Sequence, residues 1–267
     1  MVTELIENPK APRVKRVAAL ARKKERNETA RFLVEGPQAV RELLTYRPAL
    51  AEVVYATTGI EAWQLELDRL ASDAGVEIER ATPQVIQAMA ETVQPQGVIA
   101  VARIPEATLS EALAGAKLVA VMHEVRDPGN AGAVLRAADA AGADAVVFSG
   151  DSIDPWHPKV VRSTTGSLFH LPVVTERSLD AVVAAARDAG LETIAADVRG
   201  DEITDVRAQL RGGIAWVFGN EARGLGDAER EVIGRSIRLP IYGAAESLNL
   251  ATAASVLLYE TAFAQRA

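Results

Sequence analysis

Short strand-like runs alternate with longer stretches of helical length along the first part of the chain. The runs lie at 32–34, 53–55, 76–78 and 98–101. Their valine, isoleucine and aromatic content is typical of strands, whereas the intervening stretches, such as 36–46 and 60–74, are long enough for helices. This alternation predicts an α/β fold.

The second part of the chain continues the same pattern. Strands are predicted at 118–122, 145–148, 171–174, 192–195, 214–218 and 236–239, and helices at 132–141, after 156, at 179–189 and from about 248. In the last helix, apolar residues recur at the spacing of one helical face: Leu250, Ala253, Ala254, Leu257 and Leu258. We therefore expect this face to be buried, either in the core or against a partner.

The pattern loosens around residues 103–115, where Ile104, Pro105 and Glu106 follow a strand. We place a domain boundary there, which divides the chain into domains at 1–107 and 108–267. Both parts have the size of an ordinary domain.

The composition limits the chemistry that is available. The chain has 267 residues, of which 49% are hydrophobic, and it has no cysteine. A disulfide, a thiolate metal site and a cysteine nucleophile are therefore excluded, and the scattered His123, His157 and His170 make a metal centre an unfavourable interpretation. No apolar run is long enough to span a membrane and no secretory signal is visible, so we expect a cytoplasmic protein without a membrane partner.

The net charge of −7 conceals an uneven distribution. Positions 10–31 contain nine basic and two acidic residues, so this segment carries +7 and the remainder −14. A compact basic segment on an acidic body is typical of a contact with a polyanion. The basic residues that we expect to contact RNA are Arg13, Lys15, Arg16, Arg22, Lys23, Lys24 and Arg26. A solvated helix face is the alternative interpretation of this segment.

Three loops of the second part follow predicted strands and end in polar residues immediately before or beside a helix. The loops lie at 127–132, 218–225 and 239–249, and the first leads into a helix that carries Arg136. Open α/β sheets bind their ligands at the carboxyl ends of the strands, so these loops are the candidate site.

Several other ligand sites lack their required residues. The pair Gly129 and Gly132 does not have the glycine spacing of a dinucleotide-binding turn,. The chain also contains neither the Gly-Lys-Ser/Thr of a phosphate-binding loop nor the Gly-x-Ser-x-Gly of a hydrolase,. A nicotinamide oxidoreductase is therefore disfavoured.

Together the three loops resemble the signature motifs of the SpoU/TrmH branch of the SPOUT methyltransferases. The first is Asn130-x-Gly132-x-x-x-Arg136, and the second is Phe218-Gly219-Asn220-Glu221-x-x-Gly224-Leu225. The third is Leu239-Pro240 followed by Glu246-Ser247-Leu248-Asn249. The resemblance covers about residues 119–260. Residues 31–36, after the basic segment, are similar to the family's ribosomal-protein-like substrate-binding domain.

The resemblance implies an RNA 2′-O-ribose methyltransferase that uses S-adenosylmethionine. It also implies a C-terminal SPOUT domain, with a parallel sheet and a deep trefoil knot, and a smaller N-terminal α/β domain that binds the substrate. A homodimer that acts on a structured RNA is expected, and the presence of an N-terminal domain of this size favours ribosomal over transfer RNA. A non-catalytic RNA-binding assembly factor is the alternative function.

The same resemblance implies roles for individual residues. The expected catalytic residues are Arg136, Asn130, Glu221, Ser247 and Asn249, and those expected to bind the cofactor are Gly219, Leu239 and Leu248. Because a guanidinium stays protonated, Arg136 is better suited to hold a phosphate or stabilise an alkoxide than to act as a base, although both roles remain open. Capping of helices by Asn130 and Ser247 is the structural alternative.

Two further positions qualify these expectations. Arg162, in the stretch 159–166, is a candidate phosphate contact, with a basic helix end as the alternative. Ala251 stands where the family often has serine, so one hydroxyl is lost near the expected site.

Overall fold

The computed structural model describes residues 5–267. The first part of the chain forms α1 (Pro12–Ala19), α2 (Lys23–Thr29), β1 (Arg31–Glu35), α3 (Pro37–Tyr46), β2 (Ala51–Ala56), α4 (Ala62–Ala74), β3 (Glu77–Arg80), α5 (Pro83–Met89) and β4 (Val98–Arg103). The basic segment is thus two short helices, and the residue after α2, Ala30, adopts a left-handed conformation.

The second part forms α6 (Leu109–Leu113), β5 (Leu118–His123), α7 (Pro128–Ala141), β6 (Ala145–Ser149), α8 (Pro158–Ser163), β7 (Val173–Glu176), α9 (Leu179–Asp188), β8 (Glu192–Glu202), α10 (Ile203–Val206), β9 (Ile214–Phe218), α11 (Asp227–Ile233), β10 (Ser236–Arg238) and α12 (Leu250–Arg266). No helix among the described residues combines the length and the apolar composition that crossing a membrane requires. The predicted α/β fold is confirmed.

The chain divides into two compact units. The first contains the residues up to Glu106 together with Trp156–His170, and the second contains Ala107–Pro155 and Leu171–Ala267. The predicted domains, 1–107 and 108–267, differ from this division mainly in the segment Trp156–His170.

Aromatic packing explains why Trp156–His170 belongs to the first unit. The ring of Phe32, on β1, lies 4.9 Å from the ring of Trp156 and 6.4 Å from that of Phe169, measured between centroids. All three side chains are buried. Burial of such large rings stabilises the packing of this segment against β1. The pattern of strands and helices in the sequence does not predict this contact.

The first unit is built on a mixed sheet of four strands in the order β1-β4-β2-β3. The central strand β4 runs antiparallel to both β1 and β2, and β3 is parallel to β2. Helices α1 and α5 pack together, and their apolar side chains share one core with this sheet.

The second unit is built on a parallel sheet of six strands in the order β10-β8-β9-β5-β6-β7. Helices α6, α9 and α11 cover one face, where side chains such as Val121 and Val217 form the core. Side chains alternate between faces along a strand, so Trp216 points to the other face and donates a hydrogen bond to Thr261 of α12 at 2.8 Å,. The expected burial of α12 is observed at Ala254, Leu257 and Leu258.

Because every strand in this sheet is parallel, the loops after β5, β9 and β10 emerge at the same edge. These are the three loops that resemble the SpoU/TrmH motifs. Strand order alone does not determine whether the chain is threaded, so the trefoil knot stays a prediction.

Candidate active site

Glu221 connects the loop after β9 to the loop after β5. Its carboxylate accepts hydrogen bonds from the backbone N–H of Arg126 at 3.1 Å and of Asp127 at 3.0 Å. It also accepts one from the Asn130 side chain at 3.4 Å. Several N–H donors converge on this carboxylate, so its orientation is well defined.

Asn130 connects the same loop to the start of α12. Its side-chain oxygen accepts a hydrogen bond from Nδ2 of Asn249 at 3.0 Å. Glu221, Asn130 and Asn249 therefore form one hydrogen-bonded chain, which we call the motif link. It joins side chains that are far apart in sequence, one from each of the three loops.

Helix caps place two members of the motif link. Asp127 caps α7 by accepting a hydrogen bond from the Asn130 N–H at 2.7 Å, and Pro128 occupies the first turn,. Helix α7 thus begins before the predicted position 132, and Asn130 is not its cap. Asn249 caps α12 by accepting hydrogen bonds from the N–H groups of Ala251 at 2.9 Å and Thr252 at 3.3 Å.

Arg136 lies outside the motif link. It is exposed on α7. Within residues 5–267, its guanidinium forms no hydrogen bond or ion pair, and only its backbone is bonded within the helix. Its guanidinium is therefore free to meet a substrate or another subunit.

A cleft of about 430 Å³ adjoins the motif link in the second unit. Glu221, Gly219, Leu239, Ser247 and Leu248 all contribute to its lining. The structure therefore brings the predicted cofactor residues and Ser247 to one cavity, whose size lies within the range of small-molecule sites, about 300–1,000 Å³. Ser247 is exposed, and α12 is capped by Asn249 instead.

Gly219 is required by the loop itself. A Cβ atom at this position would lie 2.6 Å from the carbonyl carbon of Gly224. The close backbone approach that a glycine permits is therefore between two parts of the same loop.

Part of the cleft wall was not predicted from the sequence. Ser236 of β10 pairs with Ala195 of β8, but the next residue, Ile237, pairs with Asp201. The intervening residues of β8 leave the ladder, and Asp197 and Arg199 among them line the cleft. The Arg199 side chain binds both oxygens of Asp197 at 2.8 Å. This hydrogen bonding lowers the pKa of Asp197.

Arg223 was also missed, because it occupies a variable position between Glu221 and Gly224. Its guanidinium binds Glu124 at 2.8 Å and Glu229 at 2.7 Å. The hydrogen bond from Arg223 lowers the pKa of Glu229. Two carboxylates, one directly after β5 and one on α11, thus hold this arginine in place.

The predicted RNA contacts of the first unit differ in their availability. The prediction that Arg26 contacts RNA is wrong. The residue is 1% exposed, and its side chain donates hydrogen bonds to the carbonyls of Leu20 at 2.9 Å and Ala21 at 2.8 Å. A guanidinium buried in this way cannot bind a phosphate, and it stabilises the end of α1 instead.

The other basic residues of this segment are exposed. Those that form an ion pair are Arg13 with Glu79, Arg22 with Glu25, Lys24 with Glu28, and Arg31 with Glu52. Exposed ion pairs are weak, so these residues can still exchange a carboxylate for a phosphate.

Arg162 is engaged more strongly. It binds Glu91 at 2.6 Å and lies 3.4 Å from Glu35, whose side chain is only 5% exposed. Its contacts support a structural role in the first unit, and an RNA contact by Arg162 stays a prediction.

The comparison with known families agrees with this geometry. Residues 117–259 match the SpoU rRNA Methylase family, and residues 11–100 match the MRM3-like substrate binding domain. The first match covers more than half of the chain, so the chain belongs to the SpoU rRNA Methylase family. The predicted family is thereby confirmed.

Individual relatives extend over nearly the whole chain. The 23S rRNA (guanosine(2553)-2'-O)-methyltransferase RlmP of Bacillus subtilis is 35% identical over 256 residues, which is 95% of this chain and 97% of the relative. The 23S rRNA (uridine(2479)-2'-O)-methyltransferase of Streptomyces viridochromogenes is 30% identical and covers 91% of this chain and 86% of its own. The AdoMet-bound rRNA methyltransferase from Sinorhizobium meliloti superposes with a TM-score of 0.81 at 26% identity, over 97% of both chains.

Proposed function

We propose that this protein transfers a methyl group from S-adenosylmethionine to a ribose 2′-hydroxyl of ribosomal RNA. The observation that carries the proposal is the motif link, which unites Glu221, Asn130 and Asn249 beside a cleft of small-molecule size. The names of the two curated relatives specify different bases, guanosine and uridine, but the same ribose oxygen. The ribose is therefore the common target.

The lining of the cleft fits the methyl donor. Leu239, Leu248 and Leu257 provide apolar surface for an adenine ring, and the loop of Gly219 provides backbone groups,. S-adenosylmethionine supplies an electrophilic methyl group on a sulfonium. Ser247, on the same wall, is available to a polar edge of the donor or of the ribose.

The residues of this chain contribute alignment and electrostatic stabilisation. The motif link holds its carboxamides in fixed orientations before the substrate arrives, and this preorganisation lowers the cost of positioning the ribose. The positive guanidinium of Arg136 stabilises negative charge on the 2′-hydroxyl oxygen as that oxygen takes up the methyl group and its proton passes to solvent. Basic residues of the first unit, including Lys15, Arg16 and Lys23, bind phosphates of the same RNA.

The active protein in this proposal is a homodimer. Helix α12 exposes Val256, Tyr259 and Phe263, which recur on one helical face beside its buried residues. Burial of this face against a second copy would remove apolar surface from water. It would also bring residues of the second copy close to Arg136, whose side chain has no partner within the described part of a single chain. A cytoplasmic location stays a prediction.

The proposal is tested by methyl transfer from tritiated S-adenosylmethionine to an unmodified transcript of 23S ribosomal RNA. We expect the label in ribose 2′-O-methyl groups, and we expect Arg136→Ala to reduce kcat by about a hundredfold or more. The thermal stability of the variant should stay within about 0.5 kcal/mol of the parent, because the side chain is exposed and unpaired,.

Other outcomes would overturn the proposal or a part of it. RNA binding without transfer would favour the alternative, a non-catalytic assembly factor. Label in a transfer RNA transcript but not in ribosomal RNA would change the substrate. Unchanged kcat in Arg136→Ala would remove this residue from the mechanism.

A further inference from the structure

Arg126 is hydrogen-bonded to the motif link through its backbone. Its backbone N–H donates to both oxygens of Glu221, at 3.3 and 3.1 Å. Its side chain lines a second cleft of about 650 Å³, together with Glu221 and Asn220. The guanidinium is therefore tethered, through its own backbone, to a residue that we place in the reaction site.

The guanidinium of Arg126 has one exchangeable partner. It binds Asp151 at 2.8 Å, and the two side chains are 61% and 79% exposed. An ion pair as exposed as this contributes only about 0–1 kcal/mol. A phosphodiester of RNA, whose two non-bridging oxygens fit the fork of the guanidinium, would displace the carboxylate at little cost.

Arg223, the other arginine that lines this cleft, does not offer the same opportunity. It is held by Glu124 and Glu229 together, and releasing it would leave two carboxylates without their cation. The acidic groups nearby are also engaged, since Asp127 caps α7 and Glu221 accepts backbone N–H groups. Arg126 is thus the cation of this cleft that is free to exchange its partner.

We propose that Arg126 anchors a phosphate next to the ribose that is methylated, and that Asp151 is its partner while RNA is absent. The proposal rests on the proposed function, and it deepens that function by naming a substrate-positioning residue. Every ribose inside an RNA chain is flanked by phosphates, so a cation beside the motif link would set the register of the strand. None of the three motifs contains this arginine, since it precedes the first.

The test compares Arg126→Ala with the parent on the 23S ribosomal RNA transcript. We expect the KM for RNA to rise about tenfold, as for the loss of a charge-assisted hydrogen bond. At saturating RNA, kcat should change little. The dependence of log Kd on log salt concentration should lose about one unit of slope, because one phosphate contact is removed.

Two further variants separate an anchor from a merely structural residue. Arg126→Lys keeps the charge, so it should restore the salt slope and part of the affinity. Asp151→Asn removes the competing carboxylate and should tighten RNA binding by about two- to fivefold. A structural role for the pair would instead predict that both Arg126→Ala and Asp151→Asn impair the protein.

Arg187→Ala is the matched control. Arg187 is an exposed arginine at the end of α9, where the following residues meet the amino end of β8, so it lies at the opposite edge of the same sheet. Its removal makes the same change in net charge and should leave KM and the salt slope near those of the parent.

The outcomes distinguish this inference from the proposed function. If the parent methylates the transcript and Arg126→Ala has the same KM and salt slope, the anchor is wrong and the methyltransferase stands. A loss of S-adenosylmethionine binding in Arg126→Ala would also overturn it, because the damage would then reach the cofactor cleft. If the parent transfers no methyl group, the proposed function itself fails.

Discussion

Asn249 has two structural roles that a pair of substitutions can separate. Its side-chain oxygen caps α12, and its side-chain nitrogen donates to Asn130 in the motif link. Asn249→Ala removes both roles. Asn249→Asp keeps an oxygen that can cap the helix, but it replaces the donor to Asn130 by an acceptor.

The expected stabilities follow from these contacts. Loss of the cap costs about 1 kcal/mol, and loss of the hydrogen bond to Asn130 costs about 0.5–1 kcal/mol. The Tm of Asn249→Ala should therefore fall by about 3–8 °C for a unit of this size. In Asn249→Asp, the negative charge at the helix N-terminus adds about 0.3–1 kcal/mol, which offsets the lost hydrogen bond, so its Tm should remain near that of the parent.

The kcat of the two variants should depend on the hydrogen bond between Asn249 and Asn130, and not on the stability of the protein. Because both variants lose the hydrogen bond to Asn130, we expect kcat to fall about tenfold in each, which corresponds to about 1.4 kcal/mol. The assays are thermal unfolding and single-turnover methyl transfer to the 23S transcript. Ser178→Ala is a control, since it removes the cap of α9, beside the edge strand β7, and should lower the Tm without lowering kcat.

One result would refute this reasoning. If Asn249→Asp is as stable as the parent and also as active, the hydrogen bond between Asn249 and Asn130 contributes nothing to catalysis. The motif link would then be a structural contact between the loops.

Two further predictions concern the first unit and the assembly. Arg26→Met should lower the free energy of unfolding by about 2–4 kcal/mol because the buried carbonyl of Leu20 and the partly buried carbonyl of Ala21 lose their donor,. Lys23→Met should leave the stability unchanged and weaken RNA binding at low salt. A Lys23→Met variant that is less stable but binds RNA as the parent does would contradict the assignment of Lys23 as an RNA contact. Sedimentation should show a dimer at micromolar concentration, and Phe263→Glu should shift it to monomers; a monomeric parent would disprove the dimer.

The sequence alone determined the class of fold and the place of the candidate site. Alternation of strand-like and helical stretches predicted the α/β architecture, because side-chain periodicity reports which face of each element is buried. Three polar loops after predicted strands, including Asn130, Glu221 and Asn249, indicated the carboxyl edge of a parallel sheet. The structure places these loops there, as the geometry of parallel strands requires. The roles of the individual residues stay predictions.

Only the tertiary structure decided which polar groups are available. Arg26 and Arg16 are both basic residues of one segment, yet the first is buried against carbonyls and the second is exposed. The packing of the Trp156 ring against the Phe32 ring joins residues far apart in the chain, as does the ion pair of Arg126 with Asp151. Local patterns do not contain such contacts, because they depend on which surfaces meet after the chain has folded.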